Sequence, residues 1–196
     1  MAPALRIVRS LAAVDDNPDE SWLFCPWLPA LPPGPEFWLA ALAWHDSNGS
    51  LLDNLPAQPP RRKVYAGVFC VDPFRRREDI LHALRRAGIS GIVNLPSVSF
   101  IDGEVGTLLA GFSLGVEREI AFLRGASGAG FHVAGCAATL DAAQAMAGAG
   151  AELIIAHGGP PLPGSADPGH AVAARLRRHL PDAVPVLPLG RLLAQS

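Results

Sequence analysis

Three polar residues stand where apolar segments of the sequence end. Asp72 follows the run Val64–Val71, Asn94 lies at the end of the next run, and His157 follows Leu153–Ala156. Ligands of parallel α/β proteins bind where the strands end. A carboxylate there can hold Mg²⁺ or act as a general base, an amide can orient a carboxylate or carbonyl oxygen, and an imidazole can transfer protons. We therefore interpret Asp72 and His157 as candidate catalytic residues, Asp72 also as a candidate metal ligand, and Asn94 as a candidate substrate-binding residue.

Each of these residues also has a purely structural interpretation. Asp72 begins an Asp-Pro-Phe sequence before a predicted helix, which is typical of a helix cap or a turn. His157 can be a hydrogen-bonded histidine at a barrel rim. Asp102 precedes Gly103, a strong turn signal, and the turn is the favoured interpretation there.

Two glutamates, Glu117 and Glu119, open a predicted helix. Residues two apart on a helix point in different directions, so at most one of them can face a site. We favour Glu117 as the catalytic candidate. The interaction of a carboxylate with the helix dipole accounts for the other without any function.

Three further residues are candidates for substrate binding. Ser97 follows Asn94 in the same loop, and Asp46 and Asn48 lie in a polar segment upstream. A helix cap is the structural alternative for that segment. Ser97 lies in no G-x-S-x-G sequence, so nothing marks it as a nucleophile.

Composition and spacing argue against several classes of protein. The net charge of −2 favours neither nucleic acid nor a membrane surface as a partner. No apolar run is long enough to span a bilayer, no signal peptide is evident, and the cytoplasm is the expected location. The three cysteines and six histidines show no zinc spacing, and we expect buried free thiols.

The predicted elements alternate between strand and helix. From residue 64 onwards the order is strand, helix, strand, repeated with short connections, which indicates a parallel sheet with right-handed crossovers. A strand near Ser21 brings the total to about six, and a further one at Leu5–Val8 would make seven. Eight-stranded barrels typically need about 250 residues, and this chain has 196. We predict one α/β domain, residues 1–196 with a proline-rich region 1–60, as an incomplete TIM-barrel-like fold. The alternative is an open doubly wound sheet.

Four segments resemble the phosphoenolpyruvate hydrolase-like family of TIM-barrel proteins. They are AGVFCVDPF, GISGIVNLPSVSFIDG, LGVEREI and DAAQAMAGAGAELIIAHGG, in the family's order and spacing between about Leu39 and Gly159. The segment from Trp44 to Asn48 is similar to the family's G-D-x-N. The resemblance implies a fold like that of the phosphoenolpyruvate/pyruvate-domain barrels, which act on 2-oxo acids and enol phosphates, usually with Mg²⁺.

The chain departs from the family pattern in four places. The glycine-rich first strand is missing, because few residues precede Ser21. Leu114 replaces an aromatic residue, and a His-Met-Gly turn is His157-Gly158-Gly159. The end of the chain lacks the expected glycine-rich turn, and barrels often bind phosphate in their last two loops.

Two hypotheses follow. The first is a hydrolase or lyase that acts on a small 2-oxo acid or a phosphoenolpyruvate-like substrate at the C-terminal mouth of the barrel, with Mg²⁺ as the cofactor that the resemblance implies. The second is a catalytically degenerate barrel that binds a small carboxylate or phospho-carboxylate or serves as an oligomeric scaffold. Exposed sheet edges favour a homo-oligomer.

Overall fold

Seven parallel strands pair in sequence order to form one curled sheet. The computed structural model describes residues 4–14, 20–32, 36–42, 45–159 and 168–193. The strands are β1 Ala4–Val8, β2 Glu20–Phe24, β3 Val64–Gly67, β4 Gly91–Val93, β5 His132–Ala137, β6 Leu153–Ala156 and β7 Val186–Pro188. A doubly wound sheet reverses its strand order at a switch point. The strictly sequential order excludes that alternative.

Eight α-helices lie in the described part of the chain. They are α1 Glu36–Ala41, α2 Ser47–Asp53, α3 Arg77–Arg86, α4 Gly103–Gly111, α5 Val116–Gly128, α6 Leu140–Gly148, α7 Pro168–Arg177 and α8 Leu189–Leu193. Short 3₁₀ turns cover Leu11–Ala13 and Leu28–Ala30. None of the helices in the described ranges is long and apolar enough to cross a membrane.

Side chains alternate between two faces of the sheet because successive residues of a strand point in opposite directions. One face packs against the helices. The other face forms a second apolar cluster in the concave interior of the curled sheet. The strand residues of this interior cluster are Leu5, Ile7, Leu23, Tyr65, Val93, Ala134, Cys136, Leu153, Ile155 and Leu187. An interior filled by side chains is typical of a TIM barrel, so the prediction of an incomplete TIM-barrel-like fold is confirmed.

Helix α8 occupies the gap between the first and last strands. It contacts both β1 and β7. Leu189 and Leu192 are buried and belong to the interior cluster. A helix therefore covers the opening that an eighth strand would close.

Local sequence rules account for the start of α6 and the end of α3. The hydroxyl of Thr139 caps α6 by accepting a hydrogen bond from the backbone N–H of Ala142 at 3.2 Å. Gly88, which follows α3, has a φ of 75°, a conformation that suits glycine at a helix C-terminus. The three cysteines are buried free thiols as expected, and burial raises the pKa of each.

The further strand raised at Leu5–Val8 is present as β1, which pairs with β2 and contains no glycine. The chain between β3 and α5 differs from the expectation. The predicted strand Val64–Val71 ends at Gly67. The segment between β4 and Leu114 contains α4, an additional helix in the predicted alternation of strands and helices. This helix has three glycines and no buried residue, so neither helix propensity nor an apolar face marks it in the sequence.

Candidate functional site

The side chain of Asn48, at the start of α2, takes over the backbone pairing of the loop that follows β3. Its Oδ1 accepts a hydrogen bond from the N–H of Phe69 at 3.0 Å, and its Nδ2 donates to the carbonyl of Phe69 at 2.9 Å. Nδ2 also donates to Oδ2 of Asp72 at 2.9 Å. Just beyond the end of β3, the Asn48 amide thus makes the two hydrogen bonds that a neighbouring strand would make. The same amide holds Asn48 next to Asp72.

The carboxylate of Asp72 is almost fully engaged by neighbouring donors. Oδ1 accepts from the N–H of Phe74 at 2.8 Å, which makes the turn that its Asp-Pro-Phe sequence predicts. Oδ2 accepts from Asn48 at 2.9 Å and from Nη1 of Arg75 at 3.2 Å. The residue is only 6% exposed.

Arg75 lies between Asp72 and Asp46 and binds both. Nη1 and Nη2 donate to the two carboxylate oxygens of Asp46, each at 2.7 Å, and Nη1 also reaches Asp72. Asp46 is at the same time the N-cap of α2, accepting from Gly49 N–H at 2.8 Å. The hydrogen bond from Arg75 holds the pKa of the Asp46 carboxyl below its usual range.

A cavity of about 450 Å³ lies beside this group of residues. That volume falls in the range of small-molecule sites, about 300–1,000 Å³. Phe74 lies on its wall with 87% of its surface exposed. Its lining residues are His45, Asp46, Ser47, Asn48, Phe69, Asp72, Pro73, Phe74 and Arg75. Three of the predicted site residues therefore share one cavity: Asp46, Asn48 and Asp72.

Asn94 and Ser97 lie in a different place, a buried polar cluster around Glu119. Asn94 Nδ2 and the hydroxyl of Ser97 each donate to Oε2 of Glu119 at 2.8 Å, and the N–H of Val98 donates to Oε1 at 2.8 Å. Glu119 is 0% exposed. Its burial raises the pKa of the carboxyl to about 7, although its three donors lower it.

The orientation expected for the glutamate pair was wrong. Glu119, and not Glu117, faces inward towards Asn94 and Ser97. Glu117 is exposed and lies on a separate cavity between α4 and α5. The helical spacing predicts that the two side chains point in different directions. It does not predict which of them the loop after β4 covers.

His157 lies in a row of aromatic rings at the C-terminal end of the sheet. Its ring centroid is 4.7 Å from that of Phe100 and 6.2 Å from that of Phe37, and Phe37 in turn contacts Trp27 at 5.8 Å. Its Nδ1 accepts a hydrogen bond from the N–H of Gly159 at 3.2 Å. His157 does not line the 450 Å³ cavity beside Asp72.

Arg75 is the residue that our sequence analysis missed. It was part of the run Arg75-Arg76-Arg77, whose side chains would ordinarily be solvated. Arg76 fits that interpretation at 80% side-chain exposure, but the Arg75 side chain is 30% exposed and holds two carboxylates. One signal was available: Arg75 follows Asp72 at i+3.

The surroundings of the Asp72 carboxylate do not fit the Mg²⁺ ion that the resemblance implies. Its oxygens already accept three hydrogen bonds, and the guanidinium of Arg75 holds the position between the two carboxylates. Among the described residues no group of three or more His, Cys, Asp or Glu side chains is placed to hold a metal ion. The guanidinium of Arg75 supplies the positive charge between Asp46 and Asp72.

Comparisons with known proteins agree with the motifs. The model of the phosphoenolpyruvate hydrolase-like family matches residues 38–181. Uncharacterized protein y4oT of Sinorhizobium fredii is 38% identical over 156 residues, which cover 79% of this chain and 80% of that protein. The ToMV resistance protein Tm-1(GCR237) of Solanum lycopersicum is 35% identical over 127 residues, 63% of this chain but only 17% of the tomato protein. The chain belongs to the phosphoenolpyruvate hydrolase-like family.

Proposed function

We propose that the chain binds a small carboxylate or phospho-carboxylate at Arg75 and does not turn it over. The observation that carries this proposal is the hydrogen bonding of the Arg75 guanidinium. Asp46 and Asp72 fix it in place and engage three of its N–H groups. Among the described residues, its Nε–H and its second Nη2–H bind no acceptor. These two donors form a planar fork that matches a carboxylate or phosphate.

The surroundings of Arg75 support a small organic ligand. The guanidinium lies on the 450 Å³ cavity, where Phe69, Phe74 and Pro73 offer apolar contacts. The hydrogen bonds that Arg75 donates to the two carboxylates also raise its pKa, so its charge is kept. Preorganisation of this kind lowers the entropic cost of binding.

The absence of turnover is supported by what the other polar groups do. Asn94 donates to Glu119 and to the carbonyl of Cys136, and Asp72 accepts three hydrogen bonds within the protein. A general acid or base must reach the reacting atoms of a substrate. Asp72 and Asn94 are bound to different groups of the protein, and His157 packs against Phe100 and Phe37.

The proposal is tested by titration calorimetry with oxaloacetate and phosphonopyruvate, each with and without Mg²⁺. We expect binding by the wild type that Mg²⁺ does not strengthen, and at least tenfold weaker binding by Arg75→Gln, as follows from the loss of a bidentate charge-assisted contact. Arg76→Gln, on the exposed neighbour, is the control. Equal binding by Arg75→Gln and Arg76→Gln would rule the proposal out.

A second candidate function is that of a hydrolase or lyase acting on a 2-oxo acid or phosphoenolpyruvate. One observation favours it besides the family: the pKa of Glu119 is about 7, a value suited to acid–base catalysis at neutral pH. The test is release of phosphate and pyruvate from phosphoenolpyruvate. Multiple turnovers that disappear in Glu119→Gln would establish this function in place of the first.

A further inference from the structure

A second, smaller cavity lies on the other side of the loop that carries Asp72. Its volume is about 140 Å³, and its wall includes three arginines: Arg75, Arg77 and Arg118. Asp72 is the single acidic residue in that lining. A cavity of this size holds several waters, at about 30 Å³ each, but no drug-sized ligand.

The charge of Arg118 is not balanced by a carboxylate. Its Nη2 donates to the backbone carbonyl of Asp72 at 2.7 Å, a neutral acceptor, and it has no acidic partner among the described residues. Arg75 and Arg77, by contrast, bind Asp46 and Glu78, which lie outside the cavity wall. A cation that is partly buried without a counter-ion attracts an anion.

Two of the arginines lie at the starts of helices. Arg77 is the first residue of α3, which has 10 residues, and Arg118 is in the first turn of α5, which has 13. Each first turn also carries two acidic residues. The preference for an anion therefore rests on the arginine side chains that line the cavity.

Gly125 of α5 makes room for one of the arginines. A Cβ at this position would lie 2.6 Å from Nη1 and 2.8 Å from Cζ of Arg77. The guanidinium thus lies against the backbone of α5 and joins α3 to α5 across the cavity. This contact fixes the position of a long side chain that would otherwise be solvated.

We propose that this cavity binds a tetrahedral oxyanion of the phosphate class, held by Arg118 and Arg77 with Arg75 on the shared wall. The inference deepens the proposed function, on which it rests in part, because the two cavities share Phe69, Asp72 and Arg75. The phosphate is either inorganic phosphate or the phosphate of a phospho-carboxylate whose carboxylate lies at Arg75.

The experiment is titration calorimetry with inorganic phosphate, phosphoenolpyruvate and oxaloacetate at constant ionic strength. We expect the wild type to bind inorganic phosphate and Arg118→Gln to bind it at least tenfold more weakly, as loss of a charge-assisted contact predicts. Arg124→Gln, an exposed arginine on the same helix, is the matched control and should bind phosphate as the wild type does. Phosphoenolpyruvate binding tighter than both phosphate and oxaloacetate would assign the site to a phospho-carboxylate.

A second variant, Gly125→Ala, provides a test that does not depend on the folding of Arg118→Gln. Gly125→Ala displaces Arg77 but favours the helix, by up to about 1 kcal/mol, and it should also weaken phosphate binding. Binding of phosphate by Arg118→Gln and Gly125→Ala at the wild-type affinity would overturn the inference. If oxaloacetate still binds at Arg75 while phosphate does not bind at all, the inference fails and the proposed function stands.

Discussion

Asn94 and Cys136 exchange two hydrogen bonds as if Asn94 were a residue of a paired strand. The N–H of Cys136 donates to Oδ1 of Asn94 at 2.6 Å, and Nδ2 of Asn94 donates to the carbonyl of Cys136 at 3.0 Å. Asn48 does the same with the backbone of Phe69. Side-chain amides thus extend the sheet beyond the ends of β3 and β4 and set the starting positions of both loops.

We expect Asn94→Ala to destabilise the protein strongly. The change leaves the N–H of Cys136 without its hydrogen bond, while the carbonyl of Cys136 and Oε2 of Glu119 each lose one donor but keep the hydroxyl of Ser97. A buried polar group that loses its hydrogen bond costs about 1–3 kcal/mol. Urea denaturation measures the loss. Asn54→Ala removes an exposed asparagine and should change stability by no more than about 0.5 kcal/mol. Similar losses in the two variants would mean that the Asn94 amide carries little of the loop's stability.

Glu119 should make stability depend on pH. Its pKa is near 4.5 when exposed and about 7 in the folded protein. Because the folded-state pKa is raised, the stabilisation is fully present below pH 4.5 and is lost as the pH rises towards 7. The loss amounts to about 3 kcal/mol, at 1.36 kcal/mol per pKa unit.

The comparison with Glu119→Gln isolates this effect, because all other titrating groups are common to both proteins. Urea denaturation at pH 5 and pH 8 should show a larger loss on raising the pH in the wild type than in the variant. Equal losses would indicate that Glu119 does not titrate between these pH values.

Gly67 should tolerate no side chain. A Cβ there would lie 2.7 Å from Sγ of Cys25 and 2.9 Å from the carbonyl of Leu95, so Gly67→Ala should cost about 1–3 kcal/mol through overpacking. Gly128→Ala is the matched control. No atom lies within 4 Å of a Cβ at Gly128, at the end of α5, and helix propensity predicts a gain of up to about 1 kcal/mol. Thermal unfolding should therefore shift in opposite directions for the two variants.

Leu192 tests how the gap between β1 and β7 is covered. It is 2% exposed, so Leu192→Ala should cost about 2–5 kcal/mol. Leu108→Ala, at 59% exposure on α4, should cost little. Light scattering on the same samples addresses the expected homo-oligomer, which stays a prediction. If α8 shields the sheet edges, Leu192→Ala should associate more than the wild type does.

The sequence was informative wherever local rules decide the structure. Apolar runs such as that beginning at Val64, the cap at Thr139 and the glycine after α3 each follow from a few adjacent residues. The strand after β4 and the helices beside it follow from the same alternation. The sheet order could be inferred because parallel strands with short helical connections leave few topologies.

The site was harder to predict because its contacts join distant parts of the chain. Arg75 pairs with Asp46, which is 29 residues away, and Glu119 receives its donors from a loop more than 20 residues upstream. The apolar runs placed Asn94 directly after β4, as the structure has it, but Asp72 lies beyond the end of β3 at Gly67. Residue type could not show that their oxygens and amides are already engaged by neighbouring groups.

The helix between β1 and β7 has a consequence for the motions of the domain. Every other junction in the sheet is a ladder of backbone hydrogen bonds, whereas this one is a contact between apolar side chains. Such a seam can separate without breaking any ladder, and local opening requires the least free energy where few hydrogen bonds hold the chain. Amide hydrogens of the two outer strands should therefore exchange with solvent sooner than those of β4 and β5, and the barrel should open along this line first.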